Sequence, residues 1–351
     1  MSPILKIFIP GLVVFWFGIG ITPFFSTLMY RYKLWKRSGR GNKEDNPDIA
    51  DNFASVHDDV AETSTPRVGG VIIWISIILV ALFIWVLAEI FPQSLFVDLD
   101  FISRSQTWLP LFALLVASGI GLVDDMLQIF GGGIKKIDGL GRWSRILAVA
   151  VIGLVGALWF FLKLDVTSIM VPFFGPLSLG LLFIPFFIFV VVGTFSGGVI
   201  DGIDGLAGGV LATAFAAFGT IGYFQDQFAI AAFCIAVVGG VLAFLWFNVP
   251  PARFYMGETG MLGLTVTLAL VAFLTDAVIV LPIIAFPLVI SSASSSIQMI
   301  GRRFFKKRIF TIAPLHHHLE ASGWSKEKIT MRYWILSVVL AIGGVIIMLI
   351  G

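Results

Sequence analysis

The sequence predicts an all-α polytopic membrane protein of about ten transmembrane helices, with both termini on the outer side. Three observations lead there. Hydrophobic residues make up 58% of the chain and charged residues only 13%. Apolar runs of about 20 residues recur, the length needed to cross a hydrocarbon core about 30 Å thick with every backbone group bonded internally. Basic residues are confined almost entirely to alternate loops. At 351 residues a soluble chain would divide into roughly two domains at about 150 residues each, but so few charges leave no solvated surface for them. Residues 1–351 are therefore expected to form a single multi-span domain.

Taken in order, the candidate spans are 4–28, 69–91, 108–123, 145–162, 174–194, 206–223, 228–247, 260–275, 277–298 and 333–350. The first lacks a small-residue cleavage site and is expected to be retained as a span. Placing the 29–68 loop inside gathers Arg31, Lys33, Lys36, Arg37, Arg40, Lys43 and Arg67 there. Alternate loops add Lys135, Lys136, Arg142, Arg145 and Arg253, then Arg302, Arg303, Lys306, Lys307, Arg308, Lys326, Lys328 and Arg332. Only Lys6, Arg104 and Lys163 remain for the opposite side, so the positive-inside rule makes the first set cytoplasmic. The polar stretch from Ser38 to Ser64 is expected to be a mobile loop. Gly131-Gly132-Gly133 is a connector that lacks the context of a phosphate-binding P-loop. The lone Cys234 excludes an intramolecular disulfide.

The same cytoplasmic side receives the conspicuous polar clusters. Asp124-Asp125 closes an apolar run. Two adjacent carboxylates repel unless a cation offsets them, so they are either a metal or general-base pair or a solvated helix end. Asp201-Gly202-Ile203-Asp204-Gly205 sets two carboxylates among glycines. That suits phosphate, Mg²⁺ or nucleotide contacts, or a tight turn with Asp204 capping the next helix. The loop Asn248 to Gly260 holds two prolines, Arg253 and Glu258; Glu258 is either a third site carboxylate or a helix-start acid. His316-His317-His318 supplies three of the four histidines. Adjacent histidines seldom share one zinc ion, which favours imidazoles facing a phosphate or sugar over a metal cage; solvated loop histidines are the plain alternative.

In this order, Leu122 to Asp125, Asp201 to Ala207, Asn248 to Gly260, and Ala313 to Glu320 with Gly323-Trp324 make the chain resemble a superfamily. It is the polyprenyl-phosphate N-acetylhexosamine-1-phosphate transferases, and within it the phospho-N-acetylmuramoyl-pentapeptide branch is most similar. The resemblance covers most of the chain. It implies a cell-membrane enzyme of cell-wall (peptidoglycan) synthesis that moves a phospho-sugar from a UDP-sugar to polyprenyl phosphate, with Mg²⁺ as cofactor and UMP released. It further implies Asp124 and Asp125 as catalytic, Asp125 and Glu258 as metal ligands, and Arg145, Asp201, Asp204, Asn248, His316, His317 and His318 as substrate-binding. Membrane lipids and, as an option, a second copy in a homodimer complete the expected partners; no nucleic acid is expected. The chain departs from the family at four places: Glu258 stands for Asp, Gly198 for Asn, Gln128 for Lys and Arg145 for Lys. Thr65 to Gly70 looks more like the UDP-GlcNAc branch, which makes a GlcNAc-1-phosphate transferase the alternative within the class. An ion-coupled transporter or flippase is the alternative outside it, and would need polar groups near the membrane midplane.

Overall fold

A computed structural model describes residues 1–35, 63–102, 107–131 and 139–351. Nearly all of them are helical. In chain order the helices are α1 (Pro3–Arg31), α2 (Val71–Ile90), α3 (Leu95–Leu99), α4 (Trp108–Phe130), α5 (Arg142–Lys163), α6 (Phe183–Ser196), α7 (Leu206–Phe224), α8 (Phe228–Asn248), α9 (Gly257–Leu274), α10 (Leu281–Ile284), α11 (Phe286–Phe304), α12 (Leu315–Ala321) and α13 (Lys326–Ile350). Among the described residues nine helical stretches are long and apolar enough to cross a membrane. A tenth crossing is available if the segment Val278–Ile284 and α11, bent by 80° from each other, count as one. The ten-span expectation thus holds with its ninth member broken.

Two boundaries differ from expectation. The fifth span does not begin at 174: Ser168–Val171 (β1) and Gly175–Ser178 (β2) pair as an antiparallel hairpin, and α6 starts at Phe183. The hydrophobicity of residues 174–178 belongs to this hairpin, and the crossing stretch is Gly180–Ile200. The third span does not stop at 123, because α4 runs on to Phe130 and carries Asp124 and Asp125 within its helical part. The Ser38–Ser64 loop, apart from Thr63 and Ser64, lies outside the described residues, as do Gly132, Gly133, Lys135 and Lys136.

The most enclosed helices are α9, α7 and α8; α1 and α13 lie at the periphery. Lipid is as apolar as leucine, so helices in a membrane associate where small residues let backbones approach. Gly11 of α1 meets Gly239 of α8 this way, and Gly263 of α9 meets Ser118 of α4. A separate aromatic cluster joins α5, α6 and α9, with Phe187 stacked on Phe273 at 4.1 Å between ring centroids.

One end of the bundle is nearly closed by simple contacts. The N-terminal amine (3.1 Å) and Lys6 (2.6 Å) both bind Asp98. Met170 N–H donates to Asp276 at 3.0 Å, and Phe173 N–H to the carbonyl of Gly351 at 3.2 Å. Both termini therefore sit at this end. Among the described residues, the opposite end collects Arg67, Arg145, Arg253 and the basic residues that follow α11, together with the motifs around Asp124, Asp201, Glu258 and His316.

Candidate active site

The site is built by two glycine-dependent crossings at the basic end. Residues 66–70 run beside residues 255–256, with Tyr255 N–H donating to Pro66 (2.8 Å), Gly69 N–H to Tyr255 and Gly70 N–H to Met256 (2.9 Å each). Gly257 begins α9 at φ +68°, where only glycine is comfortable. A Cβ there would meet the Arg67 carbonyl and stand 2.6 Å from Asp125 Oδ2. Gly121 of α4 likewise lies directly on the Glu258 backbone. α4 and the start of α9 are thereby pressed together, with the Gly121 backbone directly against that of Glu258.

Asp124 and Asp125 are 0% and 1% exposed, so neither is a solvated helix end. Successive residues of a helix point about 100° apart, and the two carboxylates accordingly have different partners. Asp125 accepts the N–H groups of Glu258 (3.1 Å) and Thr259 (2.9 Å), the first turn of α9. It ties α4 to α9 across 133 residues of sequence. Asp124 accepts from Gln128 Nε2 at 3.0 Å and from the Leu140 N–H, and faces Arg145 at 3.7 Å. The Arg145 guanidinium also bonds Glu258 directly. Asp124 and Glu258, far apart in sequence, thus converge on one cation. Gln128, which stands where the family has lysine, is part of the same knot.

The chemistry of this donor set suits Mg²⁺, which takes hard oxygen ligands and is held by one or two carboxylates together with substrate phosphates. Among the described residues no group of three His, Cys, Asp or Glu side chains converges on a point; the available pair is Asp124 and Glu258. Asp125, expected as a ligand beside Glu258, is instead turned onto the α9 N–H groups.

The second part of the site surrounds Gly202. His316 (0% exposed) and His317 (5%) are buried, with their rings 4.4 Å apart between centroids. Both imidazoles lie directly against Gly202, leaving no room for a side chain at that position. The triplet is on a helix, not in a solvated loop. α12 is anchored at its start by Leu315 N–H on Ser294 Oγ at 2.9 Å. His317 Nδ1 is 3.0 Å from Glu320, which also reaches Lys326 at 3.6 Å. His318 turns the other way, taking the Thr311 N–H at 3.3 Å beside the Phe310 ring. Helical rotation therefore divides the triplet: two histidines face the Asp201–Gly205 loop and the third secures the loop before α12.

Asp204 does not cap α7, whose N-cap is Gly205 at φ +76°. Its Oδ2 accepts the Ala252 N–H at 3.1 Å, and its carboxyl is held above the ordinary range by burial, opposed by that hydrogen bond and by Lys326. Asn248 is buried with its amide taken at both ends: Oδ1 accepts from Gly205 N–H (3.0 Å) and Nδ2 donates to Phe254 O (2.9 Å). Both residues, expected as substrate contacts, tie the Asp201–Gly205 loop to the 248–257 loop. Asp201 stands half-buried at the end of the 3-10 turn Gly197–Ile200. Trp334 of α13 donates to Gly205 O at 3.2 Å and supports the loop from below, while Trp324 lies beneath the cations of Lys328 (4.7 Å) and Arg332 (4.4 Å). Arg67, which lies in none of the four polar motifs, also belongs to the site. The 66–70 pairing brings it close enough to act electrostatically on both Asp125 and Glu258. Its signal was the flanking Gly69-Gly70, a pair whose close backbone approach has a purpose only beside another chain segment.

The model of glycosyl transferase family 4 matches residues 107–276. Among curated proteins, the phospho-N-acetylmuramoyl-pentapeptide-transferase of Levilactobacillus brevis is 32% identical over 336 residues, covering 95% of this chain and 96% of that protein. The enzyme of the same name from Pelagibacter ubique is 33% identical over 309 residues, covering 81% and 80%. That from Caldanaerobacter subterraneus is 36% identical over 222 residues, covering 63% and 69%.

Proposed function

The chain belongs to the phospho-N-acetylmuramoyl-pentapeptide-transferase family, and from that premise we propose that it transfers phospho-N-acetylmuramoyl-pentapeptide from its UDP-linked donor to polyprenyl phosphate. The observation that carries the chemistry is the convergence of Asp124 and Glu258 on Arg145 at the basic end of a membrane bundle. The whole chain acts as one domain in the cell membrane. By the segregation of its basic residues, its site faces the cytoplasm, where the nucleotide donor is found.

In the reaction an oxygen of the lipid phosphate attacks the sugar-linked phosphorus of the donor. A new P–O bond forms to the lipid, the bond to the UMP phosphate breaks, and UMP leaves with that electron pair. Both reactants are polyanions, so the barrier is largely mutual repulsion and positioning. Arg145 and Arg67 offset phosphate charge. Asp124, fixed by Gln128 and the Leu140 N–H, takes or orients the proton of the lipid phosphate. Asp125 sets Glu258 in register through the α9 N–H groups. The Asp201–Gly205 loop and the buried pair His316 and His317 form the wall for the nucleoside and sugar. Mg²⁺, held by Asp124 and Glu258 with the substrate phosphates, would supply further neutralisation of charge on the transferring group.

Purified protein with Mg²⁺, polyprenyl phosphate and labelled donors tests this reading; a lipid-linked sugar and UMP are the expected products. Absence of turnover with every UDP-sugar refutes it. A second donor, UDP-GlcNAc, belongs in the same assay because Arg67, from the stretch that looks like that branch, stands beside the carboxylates. A transporter is disfavoured by the gathering of the acidic clusters at one end; flux through proteoliposomes without chemical conversion would restore it.

A further inference from the structure

The densest positive charge in the chain lies outside the candidate active site. Arg302, Arg303, Lys306, Lys307 and Arg308 fall at the end of α11 and just beyond it, and no Asp or Glu occurs between Asp276 and Glu320. All five are exposed. So are the apolar residues among them: Phe304 (71%), Phe305 (70%) and Ile309 (54%). Arg303 stands over the Phe304 ring at 5.9 Å.

This tip is built rather than loose. Gln298, buried on α11, accepts the N–H groups of Ile309 and Phe310 on Oε1 (3.0 Å each) and donates Nε2–H to the Phe310 carbonyl at 2.9 Å. The N–H groups of Phe305 (3.1 Å) and Lys307 (3.2 Å) both close onto Gly301 O. Gly301 lets Ile309 fold over it; a Cβ there would stand 2.8 Å from Ile309 Cδ1. The result is a fixed projection of basic and aromatic side chains at the membrane end that carries the basic loops, on a helix bent 80° from the segment before it.

Positive charge alone needs no ligand here, since orientation in the membrane accounts for it. Orientation does not account for two exposed phenylalanines set between the cations, on a tip whose backbone is tied down by Gln298 and by the Gly301 carbonyl. Aromatic rings at the acyl–headgroup boundary with cations at phosphate level are the pattern of an interface that recognises anionic lipid. We infer that residues 302–309 are a docking surface for anionic phospholipid headgroups, with Phe304 and Phe305 seated among the upper acyl segments and Arg302, Arg303, Lys306 and Lys307 around the phosphodiester. This inference is independent of the transferase reading.

The test uses the full chain in phosphatidylcholine proteoliposomes. Cys234 is fully buried, so a thiol-reactive bimane labels only an introduced Phe305→Cys. The vesicles carry a fixed minor fraction of brominated phosphatidylglycerol or, in the matched arm, brominated phosphatidylcholine. Phosphatidylglycerol is expected to quench as though enriched about fivefold at the tip, equivalent to about 1 kcal/mol in all, the worth of one basic residue near an anionic surface. The preference should vanish when Arg302, Arg303, Lys306 and Lys307 are all changed to Gln. In the unaltered tip it should vanish at about 1 M salt, where the Debye length falls to about 3 Å. Inorganic phosphate at constant ionic strength should leave it in place. Equal quenching by the two lipids at low salt, the same preference after removal of the four charges, or displacement by inorganic phosphate would each overturn the inference.

Discussion

Gly257→Ala offers the sharpest test of how the site is assembled. Two costs arise at once. Alanine at φ +68° takes on the left-handed penalty of about 1–2 kcal/mol. Its methyl group would also press on the Arg67 carbonyl and on Asp125 Oδ2. The first of these is backbone, held in the pairing of residues 66–70 with 255–256, so neither neighbour can rotate away; overpacking of this kind costs about 1–3 kcal/mol. Together the range is about 2–5 kcal/mol. At about 2 °C per kcal/mol for a large domain, the melting temperature in detergent should fall by roughly 4–10 °C. Any relief must come from separating α4 from α9, which breaks the Asp125 bonds to Glu258 and Thr259, so transfer should fall with stability. Gly198→Asn is the control: a Cβ there meets only Met261, at 3.7 and 3.9 Å, and melting should stay within about 1 °C, inside the ±0.5 kcal/mol ordinary for surface changes. If Gly257→Ala melts and turns over like the parent protein, the glycine-dependent crossing does not organise the site.

Four further outcomes follow from the same geometry. Asp124→Asn should lower the transfer rate by about 10²–10⁴-fold, the usual worth of a positioned acid or base, with an unchanged melting profile; measurable loss of fold with loss of rate would leave it no specific role. Glu258→Asp should break the direct bond to Arg145 and slow transfer, and Arg145→Lys added to it should recover part of the loss, since the family's own pair is the shorter one; strictly additive losses in the double-mutant cycle would show the two positions to be uncoupled. Asn248→Ala should destabilise by about 1–3 kcal/mol by orphaning the buried Gly205 N–H and Phe254 C=O, and its KM for donor should rise with loop disorder; an unaltered melt would make Asn248 a substrate contact instead. Asp204 has a carboxyl raised above its ordinary 3.8 by burial. The folded state therefore holds this proton more tightly than the unfolded chain, so the contribution of Asp204 to stability is fully present below that value and is lost as pH rises through the raised one. Asp204→Asn should flatten this decline in substrate-free melts, and an unchanged slope would assign it to another group.

Membrane crossing and an all-helical bundle of about ten spans were legible from residues alone, because they depend on local quantities. An apolar run of sufficient length must be helical in lipid, and basic loops alternate whatever the helices do next. The motifs around Asp124, Asp201, Glu258 and His316 were legible for the same reason: each is a short polar interruption of an apolar chain. The ninth span was not, since a break of 80° at Ala285 leaves hydropathy unchanged. Nor was the hairpin at 168–178, whose apolar residues run on toward the helix that follows.

What only the tertiary structure decided is the division of labour among neighbours in sequence. Adjacent Asp124 and Asp125 read as one pair; the continuation of α4 through them sends one to Arg145 and the other to the N-terminus of α9. Three adjacent histidines read as one surface; α12 turns two onto Gly202 and one onto Thr311. Asn248 and Asp204 read as ligand contacts, and packing spends both on joining loops. Arg67 acquires its place only because Gly69, Gly70, Gly257 and Gly260 let two backbones touch. Composition and spacing report which side chains a membrane end must hold. Helical rotation and close backbone crossings determine which of them face the same point, and those depend on partners more than a hundred residues away.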